Sequence, residues 1–146
     1  MHISVGSDHR GYKVKAKILE LLERLGHSTS DAGANDDDSV DYPDIANTVS
    51  QRVSDGSSDR GILICGTGIG MAIAANKYKG VRAATCHDTV TAEMSRRHNN
   101  LNVLCLSADL FGERSVEQLV SILLETECVG GRHERRINKI SETEAR

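Results

Sequence analysis

The chain has 146 residues and a formal net charge of −3 at pH 7, with an isoelectric point near 6.1. That balance excludes a general nucleic-acid binder, which needs a basic face. No apolar run approaches the roughly 18–20 residues of a membrane span, and a chain of this length fits one domain, residues 1–146.

No charged-then-apolar signal segment follows Met1. Cys65, Cys86, Cys105 and Cys128 are scattered without a CxxC pair, so neither a zinc site nor a disulfide framework is indicated. The expected compartment is a reducing cytoplasm.

His2-Ile3-Ser4-Val5-Gly6-Ser7 alternates apolar and polar residues and predicts a first strand, ended by the polar turn Asp8-His9-Arg10-Gly11. Val14, Ile18, Leu21, Leu22 and Leu25 then fall at helical spacing, with Gly26 as the stop. His27 to Asp31 is a strand candidate, and Gly33 to Asp41 a loop carrying the solvated run Asp36, Asp37 and Asp38. Pro43 suits the first turn of a helix with Ile45, Ala46, Val49 and Val53 on one face.

The chain is organised around Gly61-Ile62-Leu63-Ile64-Cys65-Gly66-Thr67-Gly68-Ile69-Gly70. Its apolar run is short and β-branched, as in a buried strand, and it stops at a thiol followed by alternating glycines. Met71 to Lys77 continues as a helix. Strand, glycine turn and helix point backbone N–H groups into an anion site, and a helix N-terminus favours the thiolate of a cysteine placed there. Farther on, Val81 to Cys86 predicts a fourth strand, with Asp88 or Thr89 capping a helix that runs to Asn100. Asn102 to Leu106 predicts a fifth strand, Val116 to Leu124 a long helix, and residues 132–146 a charged terminal helix with Ile137 and Ile140 as its aliphatic anchors.

Strands alternating with helices define an α/β domain, Rossmann-like and doubly wound, with about five parallel strands and helices on both faces. Ligands bind such sheets at the carboxyl ends of the strands, which here collects Asp8, His9, Cys65 to Gly70, and Cys86 to Asp88. The glycines do not spell GxGxxG, because Met71 stands where the third would be, and no Gly-Lys-Ser/Thr follows for a P-loop. A cysteine phosphatase would place arginine at position 71. A nucleotide-binding module using the glycine turn and Asp88 is the reading from another class. Arg132 and Arg136, one helical turn apart, are either a solvated face or a phosphate clamp.

Together these stretches resemble the ribose-5-phosphate isomerase B family, which also contains the galactose-6-phosphate isomerase subunits of lactose operons. The resemblance rests on Gly6 to Gly11, Asp41-Tyr42-Pro43, Gly61 to Asn76, Arg96 to Asn99, Asn102-Val103-Leu104 and Gly130 to His133. It implies interconversion of ribose 5-phosphate and ribulose 5-phosphate through an enediolate, without metal or cofactor. A six-carbon sugar phosphate or another aldose is the alternative substrate. Carried over by resemblance, Cys65 is the base, and Thr67 with the amides of Gly66, Gly68, Ile69 and Gly70 holds the enediolate. His98 and Asp8 assist ring opening, Asn99 and Tyr42 contact substrate, and His9, Arg132 and Arg136 bind phosphate. The resemblance also implies a homodimer with the site at the subunit interface, dimers that could pair into a tetramer, and a terminal helix packed on the partner. The chain departs from the family at Asp109, where an arginine usually contacts phosphate. A carboxylate there repels the dianion unless it turns away or pairs with an arginine.

Overall fold

The computed structural model describes residues 1–110 and 112–145, without the side chains of residues 113 and 114. The elements follow in the order β1 (His2–Ser7), α1 (Tyr12–Arg24), β2 (Ser28–Gly33), α2 (Tyr42–Ser54), β3 (Arg60–Cys65), α3 (Ile69–Ala75), β4 (Ala83–Thr85), α4 (Thr89–Asn99), β5 (Val103–Ser107), α5 (Glu113–Glu125) and α6 (Arg132–Glu144). The strands form one sheet in the order β2-β1-β3-β5-β4, parallel throughout.

Burial explains which strands the sequence announces. β1, β3 and β5 are the inner strands and must be covered on both faces, so nearly every side chain is buried. Ile3, Val5, Ile62, Ile64, Leu104 and Leu106 face the cluster built with α1, α4 and α5. Leu63, Cys65, Val103 and Cys105 face α2 and α3. The edge strands carry less. β2 reads Ser-Thr-Ser-Asp-Ala-Gly and is mostly half-buried, running two residues beyond the expected end at Asp31. β4 keeps only Ala83, Ala84 and Thr85 of the stretch expected from Val81 to Cys86. Before it, the Arg82 amide donates to Asn102 Oδ1 at 2.7 Å, which holds that segment in the turn.

α3 begins at Ile69, two residues before the expected Met71, because Gly68 at φ 80° makes the left-handed turn that starts the helix. α6 packs against α4, with Ile137 buried in its own chain and Ile140 still 48% exposed. It is assigned to Glu144 rather than to the expected residue 146, which lies outside the described residues.

Two features of this topology place the site. The connections leaving β1 and β3 run to opposite sides of the sheet, which opens a crevice between the ends of those strands. α4 starts just after β4 and stops just before β5, so it runs antiparallel to the strands. Its eleven residues descend about 16 Å, placing His98 and Asn99 toward the opposite ends of the strands from Cys65.

Candidate active site

The turn after β3 is built around the Cys65 sulfur. The Gly68 amide donates to Cys65 Sγ at 3.1 Å, and the Ile69 amide donates to Thr67 Oγ1 at 3.3 Å. Two of the amides expected to face a ligand are therefore engaged locally, one of them with the thiol. Each glycine has its own reason. A Cβ on Gly68 would stand 2.9 Å from Thr85 Cγ2 and 3.1 Å from the Leu106 backbone, and one on Gly70 would stand 2.6 Å from the Tyr42 ring. Tyr42 thus lies over the start of α3, 41% exposed. Ser107 Oγ donates to the Gly66 carbonyl at 2.6 Å, and Thr85 Oγ1 donates to the Gly68 carbonyl at 3.1 Å. These hydroxyls hold the turn from β4 and β5, and sequence reasoning missed both. For Ser107 the available signal was a polar residue ending a buried strand; Thr85, on an edge strand, carried none.

The turn after β1 lies alongside. The Asp8 amide donates to the Ile64 carbonyl at 3.1 Å, one residue before the thiol. Asp8 is 5% exposed rather than solvated, and its Oδ1 accepts from the amides of Arg10 at 2.9 Å and Gly11 at 3.3 Å. One carboxylate oxygen therefore braces the loop that leads into α1. The Val40 amide donates to His9 Nδ1 at 3.3 Å, which leaves the proton of a neutral ring on Nε2 as a donor. Asp109, flagged in the sequence as a carboxylate beside a phosphate site, pairs with Arg10 at 2.5 Å. The pair lies against Gly66, where an added Cβ would stand 3.2 Å from Arg10 Nε and 3.3 Å from Asp109 Oδ2.

The other expected residues form a second cluster, away from the first. The rings of His98 and His133 stack at 4.1 Å, 3° from parallel, and Arg132 Nε lies 3.4 Å from His133 Nε2. Partial loss of solvent, then His98, Arg132 and Arg136, hold the His133 pKa below its ordinary value. Across this end of the sheet α6 reaches Gly80, whose amide donates to Glu144 at 3.0 Å. Beneath it, buried Arg96 donates to the Thr126 carbonyl at 3.0 Å, to Asn100 Oδ1 at 2.9 Å and to the Leu101 carbonyl. Burial, followed by the neighbouring Arg60 charge, pulls the Arg96 pKa down to about 10. One chain therefore gathers Asp8, His9, Tyr42 and Cys65 to Gly70 at the carboxyl ends of the strands, and His98, Asn99, Arg132 and Arg136 at the opposite end.

Asp88, the carboxylate of the nucleotide reading, serves instead as the helix cap that the sequence also predicts. Its Oδ1 accepts from the Thr91 amide at 2.8 Å and its Oδ2 from Thr91 Oγ1 at 3.0 Å. These bonds, the amide first, hold its pKa below the usual carboxylate value. Asp88 is the N-cap of α4.

Fold and site together define a small α/β domain with a buried thiol and a glycine turn at the switch point of a parallel sheet. The family model for ribose/galactose isomerases matches residues 3–140, and the chain belongs to that family. The ribose-5-phosphate isomerase B structure from Clostridium thermocellum superposes with a TM-score of 0.97 at 45% identity, covering 99% of this chain and 98% of that one. Ribose-5-phosphate isomerase B of Escherichia coli is 39% identical over 144 residues, 99% of this chain and 97% of the relative. D-erythrulose-4-phosphate isomerase of Pectobacterium atrosepticum is 37% identical over 141 residues, 96% of this chain and 93% of the relative.

Proposed function

We propose that this isomerase interconverts ribose 5-phosphate and ribulose 5-phosphate, with Cys65 as the base. The observation that carries the reading is the Cys65 sulfur at the crevice, with the Gly68 N–H aimed at it. That amide dipole points at the atom that holds negative charge before it takes the proton and after it returns it. In the open-chain aldose the thiolate takes the C2 proton, and the C2–H electrons form the C1–C2 double bond as O1 gains negative charge. The Cys65 proton then returns to C1, and a proton moves between O2 and O1 to complete the ketose. The enediolate is stabilised by donors placed where its charge develops. This reading assigns that role to Thr67 Oγ1 and the turn amides not already engaged.

The remaining roles require a second copy of the chain. His98 for ring opening with Asp8, Asn99 for substrate contact, and Arg132 and Arg136 for phosphate stand toward the far ends of the strands. A symmetric pair can bring that end of one copy to the thiol of the other. The exposed apolar side chains of Tyr42, Ile69 and Ile73 beside the turn, 41%, 54% and 60% accessible, support a dimer seated there. Phosphate held by His9 and two arginines fixes the sugar so that C2 stands against the sulfur. A cytoplasmic homodimer in the pentose phosphate pathway follows from the same reading.

A second reading, isomerisation of another aldose phosphate, is favoured by the Arg10–Asp109 pair at the mouth. Its support includes the four-carbon relative in Pectobacterium atrosepticum. kcat/KM measured on four-, five- and six-carbon aldose phosphates decides between them. The five-carbon substrate is expected to lead, and a higher value for either other length would overturn the assignment.

A further inference from the structure

The side chains of Arg10 and Asp109 come from positions 99 residues apart in sequence, after β1 and after β5. β3 lies between those strands, so their pairing spans about 10 Å across its end. The pair roofs the turn, touching the Gly66 position next to the thiol. It is also tied to that turn from beneath. The Asp109 amide donates to Ser107 Oγ at 3.2 Å, and the same hydroxyl donates to the Gly66 carbonyl at 2.6 Å.

Stability does not account for this placement. The two side chains are 58% and 43% exposed, and exposed ion pairs contribute little. Only Arg10 Nη2 meets the carboxylate. Its other N–H groups have no acceptor among the described residues. His9, the preceding residue, has Nδ1 occupied by the Val40 amide, so Nε2 is the donor of its neutral ring. One short turn therefore presents a guanidinium fork and an imidazole N–H together at the crevice. Asp109 cancels its own charge against Arg10 and fixes the direction of the fork.

We propose that Arg10 binds the phosphate group of the substrate together with His9, and that Asp109 is the positioning residue that holds Arg10 over Gly66. The proposal rests on the isomerase reading for the identity of the substrate, but it concerns a contact that can be measured without turnover. A fork supplies directional, charge-assisted bonds to phosphate oxygens, the arrangement that favours arginine over lysine.

The test compares wild type, Arg10→Ala, Arg10→Lys and Asp109→Asn for ribose 5-phosphate kinetics, for inhibition by inorganic phosphate, and for calorimetric binding of inorganic phosphate. Arg10→Ala is expected to raise both KM and the phosphate inhibition constant by roughly tenfold or more, with kcat held within about threefold. Arg10→Lys recovers part of the loss, and Asp109→Asn shows a smaller rise in both constants. Unchanged KM and phosphate affinity in Arg10→Ala would overturn the proposal. So would a collapse of kcat at constant KM, which would place Arg10 at the reacting carbons. A wild type that binds phosphate without turning over ribose 5-phosphate would defeat the isomerase reading. In that case the calorimetric comparison with Arg10→Ala still decides whether Arg10 holds the anion.

Discussion

Because Cys65 and His98 stand toward opposite ends of the strands in one chain, each site should draw them from different subunits. Two inactive variants should then repair each other. In a mixed dimer of Cys65→Ala and His98→Asn chains, one site combines both defects and the other combines neither. Random pairing at equal amounts makes half of the dimers mixed. One intact site in each gives about a quarter of the wild-type specific activity, from parents near zero. Co-expression with two affinity tags isolates the mixed species, in which the expected recovery rises to about half. The assay is ribulose 5-phosphate formation, with tag ratios confirming composition. Recovery requires subunit exchange, so separately purified variants should stay inactive until unfolded and refolded together. Mixed dimers as inactive as their parents would refute the shared site, as would Cys65→Ala and His98→Asn chains that are both inactive as verified monomers beside an active wild-type monomer.

Gly68→Ala should lower the free energy of unfolding by about 2 kcal/mol, since it combines a left-handed backbone with a Cβ against Thr85 and Leu106. It should also reduce kcat by moving the N–H that faces the Cys65 sulfur, and a urea midpoint and rate both equal to wild type would show that the turn tolerates a side chain. Proton NMR should find the His133 ring titrating below the ordinary 6.5. A folded-state pKa below the unfolded one means that His133 leaves stability intact above about pH 6.5 and withdraws it as pH falls through the lowered midpoint. His98→Gln should move that midpoint upward, and a midpoint indifferent to His98 would contradict the stacked pair.

β3 and β5 were legible because strands buried on both faces favour apolar runs, as in Ile62 to Cys65 and Val103 to Leu106, and β1 was legible from its apolar and polar alternation. β2 and β4 were less so, since an edge strand of Ser, Thr and Asp or of three small residues resembles a loop. The start of α3 was missed by two residues because Gly68 reads equally well as turn or as helix cap. Cys65, Asp8 and the glycines were legible as a group from topology, which puts strand ends together without a knowledge of side-chain contacts. Distant pairings were not legible. Nothing local in Arg10 announces Asp109, and nothing in His98 announces the ring of His133 stacked on it. Asp109 did register as a misplaced carboxylate, and the structure supplies the arginine that neutralises it. Asp88 carried two readings, and the structure bears out the helix cap: its two oxygens are committed to Thr91 at the start of α4 rather than to a nucleotide.

The most direct measurement is turnover of ribose 5-phosphate by wild type and by Cys65→Ala, each with EDTA present. Wild-type activity that resists EDTA and falls by at least about a hundredfold without the thiol is the predicted result. Cys65→Ala with full activity would contradict Cys65 as the base, and a wild type silent on ribose 5-phosphate would contradict the substrate.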